Sequence, residues 1–197
     1  MNVQETKTKV LKAASELISA QGYCNVSVRE ICETAGVTKP VLYYYFKDKE
    51  DLLAALIEEG HQRFKELFDK YINTKSPFQE NLDGLYKVYE RYAENYPYLI
   101  RVRAYVQLSP LPKRIKRLSD IKSKEVLELI TSVFAKGKKD KFFSKDIELE
   151  MLVYILVAPL GVIIAQTVLL EDNTSPLKNN LKKYFYFWKS QFLKKEK

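Results

Sequence analysis

The 197-residue chain predicts an all-α protein, and three observations carry that expectation. Apolar residues recur at i, i+3, i+4 and i+7, the spacing of one helix face, through most of the sequence. Nothing alternates apolar and polar residues for long enough to form a sheet. Capping boxes, first-turn prolines and glycines after apolar stripes divide the chain into helix-length segments.

The first 20 residues predict a charged amphipathic helix with Val10, Leu11, Ala14, Leu17 and Ile18 on one side, a pattern unlike a secretory leader. Ser27 with Glu30 three positions later reads as a capping box, in which hydroxyl and carboxylate each satisfy an orphan amide of the first turn. Val28, Ile31, Cys32 and Ala35 then form an apolar stripe, so this helix runs from about Val28 to Ala35. Gly36 follows where the chain must reverse, and glycine enters the left-handed region at little cost. Thr38 can cap the next helix, which ends near Phe46. Pro40 is tolerated there because first-turn amides lack an intrahelical partner.

At about 100° per residue, Leu42 and Phe46 point to one side, whereas Lys39, Tyr43 and Lys47 point away and Pro40 and Tyr44 share the outer side. Three successive tyrosines cannot all face one core, so at least Tyr43 or Tyr44 shows its hydroxyl to solvent or a partner. Two short helices meeting at a glycine, the second with a polar, basic and phenolic outer face, have the form of a helix-turn-helix reading head.

Beyond the head, Asp48 caps a helix to about Ile72 with Leu52, Leu53, Leu56, Phe64, Leu67, Phe68 and Tyr71 inward. Ser76, Pro77 and Gln79 give the next start signal, with proline at the first helical position and glutamine closing a capping box. Pro97 opens a further segment, and Pro110 and Pro112 precede a long helix for which Gly137 reads as the stop. Met151 to Leu170 is overwhelmingly apolar and near the roughly 20 residues that span a bilayer. Pro159, Gly161, Gln166, Thr167 and the acidic flanks favour a helix buried in protein instead. With the last helix, which carries Leu181, Tyr184, Phe185, Phe187, Trp188 and Phe192, it offers more apolar surface than one small core covers. These two helices are the expected homodimer interface.

The net charge is +8, which suits a polyanionic partner, but the head is almost neutral. Residues 1–50 hold seven lysines and arginines against six acids. The excess lies in 101–124, 136–145 and 178–197, tracts that read as solvated helix faces and a loop able to add a nonspecific attraction. Cys24 and Cys32 match no zinc spacing, and the single histidine, His61, has no carboxylate or cysteine set around it. A reduced cytoplasmic compartment is the simplest reading. No glycine-rich phosphate loop, metal-ligand cluster or nucleophile-histidine pair appears, which argues against an enzyme and leaves no cofactor expected.

The pattern formed by Gly22, Tyr23, Ile31, Ala35, Gly36, Val37, Thr38, Lys39, Leu42, Tyr43, Tyr44, Phe46, Lys49, Glu50 and Leu52 resembles the DNA-binding domain of the TetR/AcrR family of bacterial one-component regulators. The resemblance covers about the first 60 residues. It implies a three-helix DNA-binding domain followed by a helical ligand-binding and dimerisation domain. The boundaries are 1–47 for the head, with its motif over 27–46 and a family-type domain to about 61, and 48–197 for the body. It also implies roles: Val37, Thr38, Lys39 and Pro40 at base edges and flanking phosphates, Tyr43 at a base or phosphate, Tyr44 and Lys49 at phosphates, and Val28 near the DNA backbone. Pro40, Val41 and Tyr45 depart from many relatives, so no operator sequence carries over. The implied mechanism is a dimer, more often a repressor, that reads a palindromic operator in double-stranded DNA and is released by a small-molecule effector. Tyr86, Tyr89, Tyr105, Phe134 and Tyr154 are candidate pocket residues suited to an apolar or aromatic effector, with ordinary core packing the competing reading. Alternative functions are a helical sensor acting through a protein partner and a membrane-associated helical protein.

Overall fold

The computed structural model of the protein describes residues 3–143, 146–170 and 175–194. Among these residues it is all-α, with α1 (Val3–Gln21), α2 (Val28–Ala35), α3 (Lys39–Tyr45), α4 (Lys49–Tyr71), α5 (Phe78–Asn95), α6 (Pro97–Leu108), α7 (Lys113–Lys139), α8 (Leu149–Leu170) and α9 (Ser175–Phe192). The one extended pairing among them is an isolated bridge between Phe143 and Leu193.

The chain forms two compact units, Met1–His61 with Tyr96–Lys122 and Gln62–Asn95 with Ser123–Lys197. Helices α4 and α7 supply residues to both. Within the first unit α6 packs along α1. Buried Ser15 donates from Oγ to the Tyr98 carbonyl at 2.6 Å, and Tyr98 donates its hydroxyl to Glu59 Oε1 at 3.0 Å. No local periodicity in 96–122 announces that partner.

In the first unit, Val10, Ala14, Ile18, Ile31, Leu42, Phe46, Leu52, Leu53, Leu56 and Ile115 are buried in its core. Each large apolar side chain removed from water contributes about 1.5 to 3 kcal/mol, more than the roughly 1 kcal/mol of any single cap. The caps instead fix where each helix begins. Ser27 N–H donates to Glu30 Oε2 at 2.7 Å while Glu30 N–H donates to Ser27 Oγ at 3.2 Å, completing the capping box of α2. Gly36 ends α2 at φ +65°, with Val37 N–H donating to the Cys32 carbonyl at 3.0 Å. Asp48 Oδ1 accepts the Asp51 amide at 2.7 Å and caps α4.

The second unit departs from the sequence reading at two places, the start of α5 and the end of α7. Helix α5 starts at Phe78, one residue late for a box on Ser76. Buried Asn81 takes over the turn, with Nδ2 donating to the Asn73 and Ser76 carbonyls and Oδ1 accepting the Asn73 amide. Gly137 does not stop α7. It lies buried within the last turn, where an added Cβ would meet the Phe78 ring at 2.7 Å, so its smallness admits an aromatic face. The left-handed residue after the helix is Lys141, at φ +56°. Pro159 sits inside α8 without ending it. Proline removes the amide that would bond the carbonyl four residues earlier, which is Ile155, and Tyr184 of α9 donates its hydroxyl to that oxygen.

Helix α8 is apolar on both sides. Leu152, Val153, Leu156, Leu160 and Ile164 face the core, and Met151, Tyr154, Ala158, Gly161 and Val162 form an exposed stripe opposite. Among the described residues no helix is long and apolar enough to cross a membrane.

Candidate nucleic-acid interface

Helix α3 is seven residues long, too short to persist alone. It is held by burial of Leu42 and Phe46, which are 0% and 2% exposed. That anchoring turns the other side outward. Thr38, Lys39 and Pro40 are exposed at its start, with Tyr43 and Tyr44 at 51% and 77% exposure beyond them. Tyr45 is half-buried and meets the Tyr44 ring edge-on at 5.0 Å. Two of the three tyrosines thus face solvent. Val28 and Val37 are half-buried at the first turn of α2 and in the turn before α3.

Thr38 occupies the N-cap position of α3, yet its side chain makes no capping hydrogen bond. A capping oxygen accepts from the second or third helical amide, and Pro40 has removed the second. Its hydroxyl lies exposed beside Lys39.

Lys49, expected at a phosphate, is engaged within the head. Its Nζ donates to the carbonyls of Tyr23 and Val26 at 2.7 and 2.8 Å and lies 4.4 Å from the centre of the Tyr23 ring. Two of its three donors therefore tie the α1–α2 turn to the start of α4. The same turn is held from α6, where the Tyr105 hydroxyl oxygen accepts the Tyr23 amide at 2.7 Å. The Tyr105 ring also lies within 4 Å of where a Cβ on Gly22 would stand, and Gly22 has φ +84°. Tyr105 thus belongs to the first unit and anchors the head, a role its sequence surroundings do not signal.

The other four pocket candidates lie in the second unit. Tyr89 and Phe134 are core residues, 4% and 0% exposed, with Tyr89 edge-on to Phe64 at 5.6 Å and Phe134 edge-on to Phe78 and Trp188. Tyr154 is 54% exposed on the outer stripe of α8. Tyr86 is half-buried against Phe185, and its hydroxyl donates to Glu90 Oε1 at 2.9 Å. Burial first, and then the Glu90 hydrogen bond, push its phenol up to about 12. An open cleft of about 370 Å³ in this unit is lined by Tyr71, Asn73, Glu80, Asp83 and Lys87 among others, a polar set that includes Asn81 and Ser76. Among the described residues no group of three or more His, Cys, Asp or Glu side chains could hold a metal ion.

A short helix seated by two apolar residues, reached through a glycine turn and presenting hydroxyls, an ammonium and two phenols, has the form of a helix-turn-helix reading head. Residues 10–56 match the family described as bacterial regulatory proteins, tetR family. The match covers the head alone, residues 10–56 of the 197. The chain is similar to the HTH-type transcriptional regulator AcrR of Shigella flexneri, 40% identical over 68 residues that cover 34% of this chain and 32% of that one. It is likewise similar to the fatty acid metabolism regulator protein of Bacillus subtilis, 36% identical over 74 residues covering 38% of each. The match thus spans about a third of the relatives' length. Over nearly the whole chain the fold is similar to that of the fatty acid degradation regulator FadR from Bacillus halodurans, with TM-score 0.79, 21% identity and 93% and 94% of the two chains covered. The Bacillus subtilis FadR structure in complex with stearoyl-CoA gives TM-score 0.73 at 19% identity, covering 92% and 96%. At such identities the likeness is one of fold.

Proposed function

We propose that the protein is a homodimeric transcriptional repressor that binds a palindromic operator in double-stranded DNA and is released by a small apolar or aromatic effector. The observation that carries the reading is the outward face of α3, where Thr38, Lys39, Pro40, Tyr43 and Tyr44 stand exposed around a buried Leu42 and Phe46. Such a helix enters the major groove with its first residues toward base edges. Lysine and phenol groups donate to phosphate oxygens and fix register. The exposed apolar stripe of α8, with Tyr186 and Phe187 exposed on α9, supports a self-complementary twofold interface. Two recognition helices so related would read half-sites about 34 to 36 Å apart.

Helices α4 and α7 each contribute residues to both units. A coupling of roughly 1 to 3 kcal/mol changes operator occupancy 5- to 150-fold. The solved complex of a similar fold with stearoyl-CoA supports an effector with a long apolar part. The compartment that fits this work is the cytoplasm, and no catalytic step is required. Selection of bound sequences from random duplex DNA tests the reading, first alone and then with acyl-CoA present. Enrichment of an inverted repeat that the acyl-CoA abolishes is the expected result. Recovery of no common sequence would sink it.

A further inference from the structure

The electrostatics of the first unit leave the head short of positive charge. Residues 1–61 carry seven lysines and arginines against nine aspartates and glutamates, whereas residues 96–122 carry seven against one. The fold assembles the two segments into one unit. Within the second segment, Lys113, Lys116 and Arg117 are exposed on one face of α7, opposite Ile115, which is fully buried. Asp120 is the one carboxylate on that face, and none of the three cations has an ion-pair partner among the described residues.

Arg114, on the flank of this face, fixes its position. Its guanidinium lies 3.4 Å from Glu50 Oε1 and 3.9 Å from Asp51 Oδ1, both in the first turn of α4. That turn leads directly out of α3 through Lys47 and Asp48, and Asp51 Oδ2 also accepts the Lys47 amide. The flank of the cationic face of α7 therefore meets the first turn of α4, the element that follows α3 in the chain. Its placement opposes helix stability, since cations near a helix's amino end meet the positive pole of its dipole, and the first turn of α7 holds no acid.

We infer that Lys113, Lys116 and Arg117 form a second, sequence-independent contact surface for the DNA phosphate backbone, flanking the site that α3 reads. The inference rests on the DNA-binding reading above. The surface supplies the counterion-releasing part of affinity that the near-neutral head lacks, while base contacts remain with α3.

The test measures affinity for a 40-base-pair mixed-sequence duplex across a KCl series, for the full chain and for K113Q/K116Q/R117Q. A control, K75Q/K87Q/K139Q, removes the same net charge from exposed positions of the second unit. Each lost phosphate contact lowers the slope of log affinity against log salt by about 0.9. The α7 variant is expected to lose about 1.8 or more of slope, while the control keeps the slope of the unmodified protein. A slope unchanged in the α7 variant, or an equal fall in the control, overturns the inference and leaves DNA binding standing. Failure of the unmodified protein to bind any duplex overturns the DNA-binding reading itself, before any variant is compared. Helicity is followed by circular dichroism, and the pair K113Q/K116Q reads the same slope if the triple variant unfolds.

Discussion

Tyr43 and Lys49, both expected at DNA, come apart in the structure. Tyr43 is half exposed on the outer side of α3. Tyr43→Phe should leave thermal stability unchanged and weaken operator binding by about 1.5 kcal/mol, the scale of a hydrogen bond to a charged group. Equal affinities in a titration of the selected operator would remove the hydroxyl from the contact set. Lys49 is instead engaged with two carbonyls. Lys49→Met should lower head stability by about 1 to 2 kcal/mol, read as a lower melting temperature, and should weaken DNA binding without altering its salt slope. A flattened slope would return the ammonium to a phosphate. Sequence could expose Tyr43, because helical geometry forbids three adjacent tyrosines from sharing a core. It could not place Lys49, because the carbonyls of Tyr23 and Val26 come from residues more than 20 positions away.

At the scale of elements, helix starts set by local chemistry were legible: Ser27 with Glu30, Asp48, and Pro97 at the first turn of α6 all begin helices where expected. Features set by a neighbour were not. Gly137 resembles a stop until Phe78 is seen against it, and nothing in the sequence pairs Pro159 with the Tyr184 hydroxyl that reaches the Ile155 carbonyl. The latter pairing predicts a coupling. Tyr184→Phe should cost about 1 to 2 kcal/mol by leaving a carbonyl without its donor. In a Pro159→Ala background, where a backbone amide becomes available, most of that cost should vanish, as urea unfolding of the four proteins would reveal; additive costs would refute the rescue. The α5–α9 contact carries a pH dependence. Lys178 Nζ lies 2.5 Å from Glu94 Oε1, and its hydrogen bond first, then its charge and that of Arg91, hold the Glu94 carboxyl below its usual 4.5. A carboxylate with a depressed folded-state pKa adds stability above its unfolded value, and that stability is lost as pH falls through the folded one. The melting temperature should therefore drop more steeply below about pH 4.5 in the native protein than in Glu94→Gln, and parallel curves would remove Glu94 from the account.

For the whole molecule, the apolar outer stripe of α8 and the exposed Tyr186 and Phe187 of α9 set the assembly question. Val162→Glu with Phe187→Glu should turn a dimer into a monomer in light scattering and reduce operator affinity at least tenfold, since a single half-site then binds alone. A double variant that remains dimeric places the interface elsewhere. The apolar excess of these two helices was plain in composition. The two-unit division was not, because the segment 96–122 joins 1–61 by contacts that no sequence period announces.

The pairing of Pro159 with Tyr184 also orders the routes by which this chain can change over generations. A lineage may exchange the proline at any moment and keep a folded helix, whereas loss of the phenol is harmful until the proline has gone. Descendants with phenylalanine at 184 should therefore carry a residue other than proline at 159, and the reverse association has no such requirement.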